Sequence, residues 1–411
     1  MEQTIYFIII GLLVFDFVLE RFLDYLNTTR WSETLPDEVK GIYDEEKYRT
    51  QQAYEKTNHR FSMLTNSFSF ILIMLMFLLG GFAFVDQVAR GISGNPIIIA
   101  LIFFGILMLA SDILNTPFSA YDTFSIEERF GFNKTTPKTF VLDKLKGWFL
   151  GALIGGGILA LVVFIYLKTT GWFWVYVWLV ISGFSVFMAM FYSNLIVPLF
   201  NKQTPLEDGE LKQAINSFAE KTGFKLDNIF VIDGSKRSTR ANAYFTGLGA
   251  KKRVVLYDTL IADLTTDELV AVLAHEIGHY KKKHIVSSLL LGILQAGLML
   301  YVFSLLVGSP ALSGALGVAE PSFHIGLVAF GVLYSPLSTI IGLGMNVLSR
   351  KNEYQADAFA AENFAAEPLA SALKKLSVKN LSNLRPHPAY VFFHYSHPTL
   401  LQRLKELKNR K

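Results

Sequence analysis

Seven apolar stretches, each long enough to cross a bilayer as a helix, constrain this chain more than any other feature of its sequence. They lie near residues 5–25, 66–86, 96–116, 147–167, 173–199, 285–307 and 323–348. A helix needs roughly 20 residues to span the hydrocarbon core. The composition agrees, with 52% hydrophobic residues and only 18% charged, against about 25% charged in soluble domains. The expected fold class is therefore an α-helical integral membrane protein.

Two functional classes fall away early. The net charge is only +4, and no basic block alternates with aromatic residues, so no nucleic-acid partner is expected. The chain has no cysteine, which excludes disulfide scaffolds, thiolate zinc sites and cysteine nucleophiles, and leans toward a bacterial source. The first apolar stretch, IYFIIIGLLVFDFVL, lacks a basic leader and a small-residue cleavage site, and runs into Asp16, Glu20 and Arg21. It is expected to be a retained anchor rather than a signal peptide.

Basic loops alternate with bare ones. Residues 26–65 hold Arg30, Lys40, Lys47, Arg49, Lys56 and Arg60, and residues 117–146 hold Arg129, Lys134, Lys138, Lys144 and Lys146. The connections near 87–95, 168–172 and 308–322 hold Arg90, Lys168 and no basic residue at all. The positive-inside rule then puts the N-terminus outside, with residues 200–284 and the C-terminal tail in the cytoplasm. The bilayer is accordingly one partner. A bacterial cytoplasmic membrane is slightly favoured, with the endoplasmic reticulum as the counterpart in a eukaryote.

This division gives four parts: a five-span region at 1–200, an α/β insert at 201–284, two spans at 285–349 and a C-terminal segment at 350–411. In the insert, residues 207–222 pattern as an amphipathic helix ending at Gly223. Strands are expected at 228–232, starting on Asn228, at 243–246 and at 253–257, the last two joined by a turn from Gly247 to Gly249. Thr265 and Glu268 form a capping box for the next helix, with His275-Glu276-Ile277-Gly278-His279 in its middle.

Two histidines four apart on a helix reach one ion, and the glutamate after the first can take a proton from a metal-bound water. A third ligand is needed. Position 282 is Lys and position 285 is Ile, so the extended three-histidine pattern fails. His284 follows Lys281-Lys282-Lys283 at the membrane edge and reads as an interfacial or surface histidine. Glu353 and Asp357, i and i+4 on a later helix, are the better candidates. Glu353 would give an oxygen to the metal, and Asp357 would accept the free N–H of a ligand histidine. Alone, the pair also suits two solvated acids on a helix beside the membrane.

These segments together resemble the Ste24 type of CAAX prenyl protease, in the M48 group of zinc metallopeptidases. The resemblance extends over nearly the whole chain: seven spans, HEIGH, SRKNEYQADAFA, Ser396-His397-Pro398, Val197-Pro198-Leu199-Phe200-Asn201 and Asn242-Ala243-Tyr244-Phe245. It implies one Zn²⁺ held by His275, His279 and Glu353, with Glu276 as general base and acid and Asp357 supporting the metal site. It further implies that His397 stabilises the oxyanion, that Arg403 holds that segment, and that Asn242 contacts a substrate backbone added to a strand edge. Seven helices would enclose a water-filled chamber capped by the zinc site.

The implied reaction is hydrolysis near the C-terminus of CaaX-type, prenylated proteins or peptides. Nothing in the sequence reads a prenyl group, so a membrane quality-control metalloprotease is the alternative. A seven-helix transporter or receptor with a vestigial metal site is the reading from another class. Plain readings stand beside several roles: Asn242 as a turn residue and Pro398 as a first-turn proline. His59 and His324 read as surface or interfacial, and His387 and His394 have no assigned role. Asp16 and Asp112, inside spans, should face the chamber or a partner.

Overall fold

Asp44, Asn95 and Thr136 each turn a side-chain oxygen onto a backbone amide of the helix that follows, and so set where three of the long helices begin. The computed structural model describes residues 1–224, 229–247 and 253–409. The N-terminal half is built from α1 (Glu2–Thr28), α2 (Glu45–Leu78), α3 (Gly81–Ile92), α4 (Pro96–Glu127), α5 (Pro137–Thr169) and α6 (Phe173–Phe200). A π-helical turn interrupts α5 at Gly151–Gly155 and another closes α4 at Asp122–Glu127. The basic loops are thus largely helical: α2 starts at Glu45 and α5 at Pro137, well ahead of the apolar stretches they contain.

After α6 the chain makes a small mixed sheet. Its elements are β1 (Gln203–Pro205), α7 (Glu210–Lys221), β2 (Ile229–Ile232), β3 (Ala243–Thr246), β4 (Arg253–Tyr257), α8 (Asp258–Asp263) and α9 (Thr266–Lys281). The strand order is β1-β2-β4-β3, with β2 parallel to β4 and the other pairs antiparallel. The strand β1 has no counterpart among the expected elements. Asn228, named for the first expected strand, and Gly249, named for the turn between the other two, lie outside the described residues. The capping box forms as expected, but HEIGH occupies the last two turns of α9 rather than its middle.

The remainder comprises α10 (His284–Leu306), α11 (Pro310–Ala315), α12 (Phe323–Leu333), α13 (Ser335–Asn363), α14 (Ala366–Lys379), α15 (Pro388–His394) and α16 (Leu400–Lys408). By length and composition, α2, α4, α5, α6 and α10 can each cross a membrane. The pair α12 and α13, bent by 56°, makes a sixth span if taken together. This count reaches six of the seven expected spans, and α1, the helix of the first apolar stretch, falls outside it. Its second half bears Asp16, Glu20, Arg21 and Asp24. It still runs from Glu2, against Gly314 of α11, to Asn27, whose side chain accepts the backbone N–H of His387. The stretch expected at 66–86 is not one helix either. It breaks after Leu78, and Gly80 adopts a left-handed φ of +68° that admits a sharp turn between α2 and α3.

The acids inside spans have partners. Asp16 accepts from the Ser335 hydroxyl at 2.9 Å, and Asp112 pairs with Lys144 at 2.8 Å and accepts from the Trp148 indole N–H. His324, expected at a surface, is buried instead, bonded to Asp86.

Around the sheet lies a separate core. Helix α9 buries Leu269, Val270, Ala271, Leu273, Ala274 and Ile277 against the strands, α7 and α14. Such a helix is central rather than amphipathic. On its remaining side α13 approaches at Gly278. A Cβ there would lie 3.1 Å from the Ala356 Cα, so glycine permits the close crossing that brings the two helices' polar side chains together.

Candidate metal centre and active site

Three side chains from α9 and α13 converge on one point. His275 and His279, one turn apart, bring their Nε2 atoms to 3.1 Å. Glu353 of α13 places Oε2 3.4 Å from His275 Nε2 and Oε1 3.2 Å from His279 Nε2. Tetrahedral zinc with bonds of 2.0–2.2 Å separates its ligand atoms by about 3.3 Å, so this spacing fits such an ion. A second observation fits too. Glu353 Oε2 is buried and makes no hydrogen bond, as an oxygen reserved for a metal would. Among the described residues this is the one cluster of three or more His and acidic groups close enough to hold a metal.

Asp357 and Arg403 brace the site from behind. Asp357 is fully buried and accepts from His275 Nδ1 at 2.8 Å, which fixes the proton there and leaves Nε2 as a lone pair. Arg403, from α16, donates Nε and Nη2 to the two Asp357 oxygens at 2.8 and 2.6 Å. This planar fork is the strong form of such a pair. It also anchors the C-terminal helix to α13.

The site opens into a cavity of about 450 Å³ that reaches Glu276, Asn242, Ala243 and His397. Burial pushes the Glu276 carboxyl above the usual carboxylate range, against the pull of charge on His275 and His279. His397 is exposed at the rim, its Nε2 3.4 Å from Glu353 Oε1 and its Nδ1 2.9 Å from the Ser396 hydroxyl. Pro398 does not take a first-turn position: Thr399 is the N-cap of α16, completing a capping box with Gln402. Asn242 precedes β3 and turns its Oδ1 onto the next backbone amide. Among the described residues β3 is an edge strand, and its first residue, Ala243, lines the cavity.

All eight residues singled out in the sequence thus gather at this cavity or directly behind it. One further histidine departs from its expected surface or interfacial place. His284 is buried, with Nδ1 3.1 Å from His279 Nδ1 and Nε2 2.8 Å from Gln355 Oε1. The signal available was a histidine five residues beyond the motif, which the lysine run disguised. Elsewhere, His387 caps α15 by accepting the Ala389 amide, His394 lies 3.5 Å from Glu20, and His59 packs edge-on against Trp31.

Comparison with known proteins covers nearly the whole chain. Residues 24–202 match the family model described as CAAX prenyl protease N-terminal, five membrane helices, and residues 205–411 match that of peptidase family M48. CAAX prenyl protease 1 homolog of Arabidopsis thaliana is 36% identical over 97% of this chain and 96% of its own length. CAAX prenyl protease 1 of Saccharomyces cerevisiae is 36% identical over 97% and 94%. The crystal structure of S. mikatae Ste24p superposes with a TM-score of 0.92 at 37% identity, covering 98% of both chains. The chain is a multi-pass membrane metallopeptidase and belongs to peptidase family M48, of the CAAX prenyl protease type.

Proposed function

We propose that this protein is a zinc endopeptidase that cleaves near the C-terminus of CaaX-type proteins or peptides, prenylated ones included. The convergence of His275, His279 and Glu353 beside Glu276 is the observation that carries this reading. The substrate class follows the names of the relatives. Zinc bound by the three residues would polarise the scissile carbonyl and acidify a water.

The chain's own groups do the rest. Glu276, its proton affinity raised by burial, takes the proton of the attacking water and returns it to the leaving amine. His397 donates its Nε2 proton to the oxygen on which negative charge develops. Asn242 and the outer edge of β3 align the peptide as an added strand. Asp357, held by Arg403, keeps His275 in the tautomer that binds metal.

The same reading includes seven helices around a water-filled chamber, α1 supplying the seventh. Of the most apolar stretch in each single-helix span, only 6% to 17% is buried, as suits helices wetted on one side and bathed in lipid on the other. It keeps the division at 1–200, 201–284, 285–349 and 350–411. The excess of Lys and Arg in the connections on one side supports a site on the cytoplasmic face, of a bacterial cytoplasmic membrane or of the endoplasmic reticulum.

The test is peptide hydrolysis by the purified full-length protein, using matched prenylated and unprenylated CaaX peptides. Chelation should abolish turnover and added Zn²⁺ restore it; cleavage that survives chelation overturns the zinc mechanism. Faster turnover of the prenylated peptide is expected. Equal turnover would move the assignment to a quality-control protease with the same chemistry.

A further inference from the structure

His284 is buried within the site, yet the reaction above leaves it without a task. Its two ring nitrogens are both engaged: Nδ1 with His279 Nδ1 at 3.1 Å, and Nε2 with the amide oxygen of Gln355 at 2.8 Å. An amide oxygen only accepts, so Nε2 of His284 holds the proton and Nδ1 presents a lone pair. That lone pair requires an N–H from His279, which puts the His279 proton on Nδ1 and bares Nε2. The bared Nε2 is the atom that lies 3.1 Å from His275 Nε2 and 3.2 Å from Glu353 Oε1. The opposite polarity would leave a proton on that nitrogen and close the ligand position.

We propose that His284, oriented by Gln355, is a positioning residue that sets the metal-binding tautomer of His279; this rests on His275, His279 and Glu353 being the ligands. The backbone is shaped for it. Only two residues separate α9 from α10, and Lys283 adopts a left-handed φ of +60°, which L-residues rarely occupy. That turn swings His284, first residue of α10, back onto the His279 ring, with centroids 5.1 Å apart. Gln355 comes from the same helix as Glu353 and Asp357. Helix α13 therefore supplies one ligand and backs both others: Asp357 behind His275 directly, and Gln355 behind His279 through His284.

The two supports differ in charge. A carboxylate behind both histidines, added to Glu353, would place three negative groups around one ion. A neutral imidazole–amide relay orients the second ligand without that extra charge, and so preserves the metal's pull on its water.

The experiment is zinc affinity, read by chelator competition on the full-length protein and checked by the visible spectrum of the Co²⁺ form. The variants are His284→Leu, His284→Asn, Gln355→Leu and Glu353→Ala. An asparagine oxygen can stand where Nδ1 stood, whereas leucine only fills volume. His284→Leu should weaken zinc binding about 10- to 100-fold and alter the Co²⁺ bands. His284→Asn should recover most of the loss, and Gln355→Leu should weaken binding less than His284→Leu. Were His284 mere packing, leucine would be the better replacement, so equal affinities or the reverse order overturn the proposal. If His284→Leu does not fold, wild-type affinity in Gln355→Leu does the same. Zinc retained by Glu353→Ala sinks the ligand set itself; zinc lost there but unchanged in His284→Leu sinks only the relay.

Discussion

Two histidines in this protein are buried against an aspartate that an arginine holds in turn, and they sit in opposite roles. His275 donates to Asp357, which Arg403 grips with two hydrogen bonds. His324 of α12 lies 2.6 Å from Asp86 of α3, which accepts from Arg90 at 2.8 Å, and Arg90 reaches on to Glu320. Locally the two triads are alike. The difference lies in what else each ring meets. His275 turns its other nitrogen toward His279 and Glu353, while His324 packs against the Phe103 ring at 4.7 Å. A buried His–Asp pair thus fixes a tautomer in either place. Only convergence with further ligands makes it a metal site, and elsewhere it ties helices together.

The largest effect that separates the two regions is chemical. Glu276→Gln should lower kcat about 10²- to 10⁴-fold with bound zinc retained, as expected of a lost general base. Metal analysis beside the peptidase assay checks both halves, and near-normal turnover would remove Glu276 from the reaction. A smaller contrast compares the two acids directly. Asp357→Asn should weaken zinc binding or activity about 10- to 100-fold. Asp86→Asn should leave zinc content and turnover unchanged and cost roughly 1 to 2 kcal/mol of stability, read as earlier thermal unfolding in detergent. If Asp86→Asn releases metal, the comparison is broken, because the far triad would then be coupled to the site.

What could be read beforehand follows the range of the interactions involved. The i and i+4 spacings of His275 with His279 and of Glu353 with Asp357, and the capping box at Thr265, are helical regularities that a linear sequence displays. The features that were missed depend on single backbone torsions or on distant partners. Gly80 breaks an apolar run that hydropathy reads as continuous, and Lys283 folds His284 inward from what looks like a charged tail. His324 meets Asp86 across 238 positions of sequence. Nothing in HEIGH announces that its glycine admits Ala356 of a helix some 80 residues on, although that crossing delivers the third ligand.

Glu268 offers the finest division, since it shares a helix with both ligand histidines yet should behave like the far triad. It accepts the Thr265 amide, the Ser371 hydroxyl at 2.6 Å and Lys375 at 2.7 Å, joining α9 to α14. Burial raises its pKa, but the hydrogen bonds from Lys375, Ser371 and the Thr265 amide outweigh that and leave it below the ordinary glutamate value. A depressed folded pKa means the unfolded chain takes the proton more readily. The stabilisation is therefore complete above about pH 4.5 and is lost as pH falls through the folded value. Glu268→Gln keeps an acceptor for the cap and removes only the charge. With Lys375 partly exposed, the cost at neutral pH should be about 1 kcal/mol or less. Thermal unfolding of the two proteins should differ at pH 7 and converge under acid, while zinc content and kcat/KM stay equal. A change in zinc content would mean that position on α9, rather than convergence on the ion, governs the metal centre.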